Sequence, residues 1–355
     1  MIELPVLPRV GLLDGPTPLQ PLERLSAALG DRAELWIKRE DLGPLAFFGN
    51  KLRNLEFLLG AAIDAGADTI VTSGRRWSNH CRLTAAAGAK LGLRVEIVVS
   101  GPTATESANL ALIEMLGATV HQAATASRSD REALVARVAG EETAGGRRVH
   151  VIPVGGSDAT GAWGQVLGGL EVLEQAAARG FVPDVIVLPS ATGGTQAGLI
   201  VGASIRALDA GASPTRIVGV AVAHPEAELR PHVEALVREL ATLAGIPAPL
   251  DAIEIDASQL GDGYGIPSAA SNDGCWPAPR ASWSIPCTRP RAWPASSAWF
   301  SQASSTTGGP CSGTAADCLR CSRLSNPPER PEPGPRPYHR RDADRYPGDA
   351  RRRVL

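Results

Sequence analysis

Cysteine is almost absent from the first 274 residues of this 355-residue chain, where Cys81 stands alone. That excludes a disulfide scaffold and points to a reducing compartment, with the cytoplasm as the expected location. A surplus of positive charge is lacking too, since the formal net charge is −2 and the pI about 6.3. Without a basic field to neutralise phosphate backbones, no nucleic-acid partner is expected. No stretch offers about 18 uninterrupted apolar residues, and the opening MIELPVLPRVGLLDGPTP has no basic start leading into an apolar run. Neither a membrane span nor a secretory leader is therefore expected. A fixed-period repeat, a Walker loop and a spaced GxGxxG are all missing, which argues against solenoids, ATP sites and dinucleotide sites. No histidine or cysteine pair with ligand spacing is accompanied by a second one, so no metal is expected.

What is present is an alternation. From Ala33 to about Gly219, short β-branched runs alternate with longer helical stretches, the pattern of parallel sheets with helices on both faces. The expected strands are ELWIKRE, DTIVTSG, RVEIVVS, TVHQAA, VHVIPVGG, DVIVLPS and RIVGVAVA. Between them lie NLEFLLGAAIDAGA, LTAAAGAKLG and QAGLIVGASIRALDAG, apolar at helical spacing and ending in glycine as a C-cap does. A further helical stretch, EAELRPHVEALVRELATLAG, precedes an acidic loop and GDGYGIPS. A chain of this length makes one large domain or two of about 100 to 200 residues each, and two lobes are expected.

In open parallel sheets, ligands sit beyond the carboxyl ends of the strands. Three strand-to-helix loops fit that place. DVIVLPSATGGTQAGLIVG carries Thr192, Gly193, Gly194, Thr195, Gln196, Ala197 and Gly198 into a helix, and such a helix start receives a phosphate through its unpaired N–H groups. A cofactor with one phosphate suits it; the competing reading is a tight turn whose glycines serve packing. KREDLGPLAFFGNKLRNLEFLL places Lys51 at a helix start, where a desolvated amine is suited to imine chemistry and Arg53 stands close by. By itself such a lysine is usually a solvated side chain, and Lys38, Arg39, Glu40 and Asp41 read as an ordinary charged strand end. VTSGRRWSNHCRLTAAAG offers Ser78, Asn79 and His80 in a first helical turn, suited to a substrate carboxylate or a phenolic oxygen. Taken alone, Ser78 reads as an N-cap, His80 as structural and Cys81 as a packed thiol.

Together, KRED, GNK, SNHCR, IPVGGSDATGAWG, TGGTQAG and GYGIP occur in an order that resembles the D-cysteine desulfhydrase and 1-aminocyclopropane-1-carboxylate deaminase family over nearly all of residues 1 to 270. The resemblance implies a tryptophan synthase β-like fold of the type II pyridoxal-phosphate enzymes. It implies a large domain of residues 1–50 and 161–272 and a small domain of residues 51–160. Lys51 would hold pyridoxal phosphate as an imine, Asn79 would contact the ring hydroxyl, and Thr192, Gly193, Gly194 and Thr195 would hold the phosphate. Ser78, with Asn79 and His80 beside it, would bind the substrate carboxylate, and Tyr264 would line the substrate side. The implied reaction is β-elimination from a small amino acid such as D-cysteine, giving pyruvate, ammonia and sulfide. Ring opening of the cyclopropane amino acid is the alternative, and a binder without turnover is a rival of another class. The enzyme class would be lyase or hydrolase, and the assembly a homodimer if the C-terminus is intact. Phe48 before GNK and Trp77 before SNH depart from the family's glycine and glutamine and are expected beside the pocket.

After about Asn272 the composition turns to Pro, Ser, Arg, Trp and Cys without periodicity. A disordered tail does not ordinarily carry four tryptophans and five cysteines. Shifting the reading frame makes ASWSIPCTRP compatible with ILVDPVYTA and PCSGTAADCLRCS with VLWHSGGLPALF, which resemble the family's C-terminal DPVYTGK and HTGG motifs. A missing base between the codons for Ser268 and Gly274 is the expectation, and residues 273–355 are then out of frame. The sheet would lose its last strand and the chain would be poorly folded or nearly inactive.

Overall fold

A computed structural model describes residues 2–30, 32–47, 49–101, 107–261 and 352–355. Tyr264, Phe48 and most of the tail lie outside the described residues. Two sheets organise the rest. Strand β1 (Leu19–Pro21), helix α1 (Glu23–Ala28) and β2 (Ala33–Lys38) lead into α2 (Lys51–Asp64). Then come β3 (Thr69–Arg75), α3 (Asn79–Leu91), β4 (Arg94–Ser100), α4 (Ala108–Met115), β5 (Thr119–Gln122), α5 (Arg128–Ala144) and β6 (Val149–Val151). The chain continues through α6 (Ala159–Ala177), β7 (Val185–Ser190), α7 (Gly194–Ala210), β8 (Arg216–Ala221), α8 (Glu226–Ala244), β9 (Glu254–Asp256) and β10 (Arg352–Val354).

One sheet runs β1-β2-β10-β7-β8-β9, the other β5-β4-β3-β6. All pairings are parallel except β1 on β2. The α/β reading with parallel sheets therefore holds, and each of the seven expected strands is present. Their hydrophobic runs are buried on both faces, as parallel strands under helices require: Ile70, Val71, Ile97, Val98 and Val99 are fully enclosed. Helix α2 joins the two cores, with Phe57 packed among Trp163, Ile200 and Val201, and Leu52, Leu55, Leu58 and Leu59 packed among Ile70, Leu83 and Ile97. Its first residue, Lys51, is thereby fixed where the two sheets meet.

Three expectations are corrected. VHVIPVGG is a strand only over Val149–Val151; Pro153 cannot donate to a ladder, and Val154–Gly156 winds into a 3-10 turn. The KRED segment is not an ordinary solvated strand end. Lys38 pairs with Glu171 of α6, Glu40 pairs with Arg53 of α2, and Arg39 and Asp41 pair with each other within the segment. Lastly, the sheet does not lack a strand between β2 and β7. Arg352, Arg353 and Val354 pair with Ala33, Glu34 and Leu35, and Val354 also faces Val185. An extended segment with one apolar side chain suffices there, since backbone groups supply the ladder and Val354 joins Leu35, Val185 and Val218 in a small core.

Candidate active site

The cofactor-type loop begins where β7 ends. Gly193 caps α7 with φ 83°, and no side chain caps that helix start. A Cβ at Gly193 would lie 2.8 Å from Val233, and one at Gly194 would lie 2.8 Å from the Ser157 hydroxyl. Only glycine permits both this backbone turn and this closeness. The first N–H groups of α7 thus face a cup bordered by Ser157 and Thr192, whose hydroxyls are hydrogen-bonded to each other. Such a cup fits a phosphate group.

Lys51 reaches the same cavity from the start of α2. The Asn50 amide donates to the Thr195 hydroxyl at 2.9 Å, tying the lysine loop to the α7 start. Gln165 of α6 donates to the Asn50 carbonyl at 2.8 Å and to Asn54 at 2.6 Å. Asn54 donates to the Gly156 carbonyl at 2.9 Å. Lys51 keeps some surface toward the cavity, yet protein surrounds it on the other sides. Desolvation lowers its pKa from 10.5 to about 8, and among the described residues no carboxylate pairs with it. That is the state a nucleophilic amine requires.

The third wall is the start of α3. Ser78 is the N-cap, its hydroxyl accepting from the Cys81 N–H at 3.2 Å, so the N-cap expectation holds. The Asn79 amide oxygen accepts from Arg82 and from Asn109, both at 3.2 Å. Because a guanidinium only donates, this contact fixes which amide atom is the oxygen. His80 is buried, and its Nε2 lies 3.0 Å from the Thr72 hydroxyl. That hydroxyl donates to the Ile152 carbonyl, so Nε2 carries a proton and donates it to Thr72. Burial, with the nearby charge of Lys51, holds the His80 pKa down at about 3. Cys81 is fully buried, and burial pushes its thiol up to about 11, as expected of a packed cysteine.

Lys51, Ser78, Asn79, His80, Thr192, Gly193 and Thr195 all line one cavity of about 2530 Å³. The volume exceeds a usual small-molecule pocket several-fold, so the site is one part of a wider cleft. Trp77 is corrected: its indole lies by Gly101 and does not line this cavity. Asn50, Asn54, Gln165 and Ser157 were not picked out from the sequence. The proximity of Asn50 to the GNK lysine was the one available signal.

A catalytic-type lysine, a capless glycine helix start and a polar helix start on one cleft define an enzyme of the cofactor-dependent α/β class. The chain belongs to the pyridoxal-phosphate dependent enzyme family, whose profile matches residues 10–275, and its fold is that of the type II enzymes. D-cysteine desulfhydrase of Yersinia pestis (strain Pestoides F) is 39% identical over 272 residues, covering 75% of this chain and 79% of the relative. D-cysteine desulfhydrase of Salmonella choleraesuis (strain SC-B67) is 38% identical over 269 residues, covering 74% and 79%. A crystal structure of an ACC deaminase homologue superposes with TM-score 0.66 at 33% identity, covering 75% of this chain and 78% of that one. Of the two enzyme classes expected, lyase fits these relatives and hydrolase does not.

Proposed function

We propose that this chain is a pyridoxal-phosphate lyase releasing sulfide, pyruvate and ammonia from D-cysteine. The carrying observation is the desolvated Lys51 amine, without a carboxylate partner among the described residues, in the same cavity as the Gly193–Thr195 cup. Lys51 would hold the cofactor through its amine, and its Nζ would hold the proton from the substrate Cα. The N–H groups of Gly194 and Thr195, with the Thr192 hydroxyl, would hold its phosphate. The Asn79 amide nitrogen would be left to contact the ring hydroxyl, since its own oxygen is held by Arg82 and Asn109. Ser78 and the α3 start, with His80 beneath, receive the substrate carboxylate, which the positive end of that helix favours. Tyr264, outside the described residues, would line the substrate side by resemblance to the family. When bound, pyridoxal phosphate supplies an electron sink that makes the substrate Cα–H bond acidic.

The test is release of sulfide and pyruvate from D-cysteine by the purified chain with added cofactor, beside the Lys51→Ala variant. Sulfide and pyruvate in equal amounts, absent from the variant, support the lyase. Cofactor absorbance without keto acid supports the non-catalytic binder instead. The ACC deaminase homologue favours one second reading, opening of 1-aminocyclopropane-1-carboxylate, and the same keto-acid assay compares the two substrates. The division into residues 1–50 with 161–272 and 51–160 is part of this reading; the separate sheets, one drawn from residues 19–38 and 185–256 with the added strand 352–354, the other from 69–151, support it. A cytoplasmic location, no nucleic-acid partner and, with an intact C-terminus, a homodimer are part of it too, and light scattering on the chain with its reading frame restored checks the dimer. So is a frame change between the codons for Ser268 and Gly274. The family match ending at residue 275 supports it, and an independent nucleotide sequence across those codons decides it.

A further inference from the structure

Two buried arginines of the described residues meet carboxylates: Arg53 meets Glu40 and Glu171, and Arg39 meets Asp41. Next to the α3 start the arrangement differs. Arg75, the last residue of β3, is the ladder partner of Ser100, the last residue of β4. Arg131, in α5, is buried and donates from Nη1 to the Ser100 hydroxyl at 3.2 Å, while its Nε has no acceptor. The positive charge of Arg75 acts on Arg131 unfavourably, and so does that of Arg128. Glu132 is the nearby carboxylate, but it is held by Arg128 at 2.6 Å. Among the described residues, no carboxylate lies within ion-pair distance of Arg75 or Arg131.

A buried guanidinium such as that of Arg131, beside the positive charge of half-buried Arg75 and without an anion, is costly. Both line the cavity that holds Lys51 and Ser78. The Ser78 N–H donates to the Arg75 carbonyl at 2.8 Å, so Arg75 lies one tight turn from the proposed carboxylate site. We propose that Arg75 and Arg131 form an anion subsite, and that this enzyme takes small amino acids whose β-substituent carries a negative group such as phosphate, sulfate or carboxylate. The planar fork of arginine suits the paired oxygens of such groups. This inference rests on the lyase reading for the placing of the amino-acid end; the anion subsite itself does not.

Two measurements separate the two. In the first, sulfate is titrated into the full chain and into Arg75→Gln, with thermal unfolding as the readout. A rise in Tm that is smaller in Arg75→Gln is expected. Equal rises in both proteins overturn the subsite, because sulfate is then held elsewhere. In the second, D-serine and O-phospho-D-serine are titrated into cofactor-loaded protein and followed by visible absorbance. The phosphorylated ligand is expected to bind about tenfold tighter or more, the worth of one hydrogen bond to a charged group. Arg75→Gln is expected to bring the two affinities together, and equal affinities in the unsubstituted chain refute the substrate class. If no cofactor absorbance forms but the sulfate effect depends on Arg75, the lyase reading and the substrate class fail while the anion subsite stands. Arg131→Lys serves as a second variant, since it keeps the charge but loses the fork, and it should retain only part of the discrimination.

Discussion

Titration of Lys51 gives the sharpest test of the site. In the folded chain its amine titrates at about 8 instead of 10.5, because burial penalises the ammonium. At pH 7.5 about a quarter of such amines are neutral, against about one in a thousand for an ordinary lysine. Only the neutral amine attacks an aldehyde, so attachment of pyridoxal phosphate at pH 7.5 should outpace that of a solvent lysine by about two hundred-fold from this factor alone. The assay is stopped-flow absorbance of cofactor attachment to cofactor-free protein between pH 6 and 10. The rate should rise with pH, reach half its maximum near 8 and then level off. A linked effect follows in stability. The folded value lies below the unfolded one, so the unfolded chain binds the extra proton between pH 8 and 10.5. Stability of the cofactor-free chain should therefore rise with pH across that window, by on the order of 3 kcal/mol from this group. Urea unfolding of the chain beside Lys51→Met isolates the effect. A rate still climbing tenfold per pH unit above 9, or attachment unchanged in Lys51→Met, refutes the assignment.

Three further outcomes are expected. Gly193→Ala places a methyl 2.8 Å from Val233 on a backbone with φ 83°, and should weaken cofactor binding and lower stability by about 1–3 kcal/mol, read by cofactor titration and urea unfolding. Arg53→Ala strips the half-buried carboxylates Glu40 and Glu171 of their shared cation and should cost about 1–3 kcal/mol in urea unfolding. Burial alone would raise the Glu171 pKa, but Arg53 and Lys38 hold it below the usual carboxylate range. Its share of stability is thus present above the unfolded pKa and lost as pH falls through the folded one, and the loss on acidification should shrink in the variant. Val354→Asp puts a charge into the small core of Leu35, Val185 and Val218; a drop of at least about 2 kcal/mol in urea unfolding is expected if β10 completes the sheet.

One local feature marks where sequence and conformation disagree. Ala46 and Phe47 both adopt positive φ, at 44° and 58°, just before the Gly49–Lys51 turn, and Phe47 is exposed at the cavity edge. Neither residue type favours that region, so the loop carries local strain beside the lysine. Nothing in the composition of LAFFGN announces it, because strain arises from how the loop must connect β2 to α2.

The sequence by itself determined the elements that depend on near neighbours. Runs such as VEIVV and VIVL could only be doubly buried strands, and the glycines after α3, α7 and α8 ended those helices where they were expected to end. It also determined the three polar loops, because a strand followed directly by a helix leaves unpaired N–H groups at one edge of a parallel sheet. Short strands such as Leu19–Pro21 and Glu254–Asp256 stayed invisible: three residues hold too little pattern, and their stability comes from the ladder beside them. Only the tertiary structure decided that Asn50 meets Thr195 and that Gln165 stands between Asn50 and Asn54. It alone made KRED a set of partnered charges and left Arg131 without a carboxylate. Apart from Arg39 with Asp41 and Glu40 with Arg53, these are contacts between residues roughly thirty to more than a hundred positions apart in sequence. Their energies depend on burial and distance, which no local pattern encodes and which exist only once the two sheets and α2 have packed together.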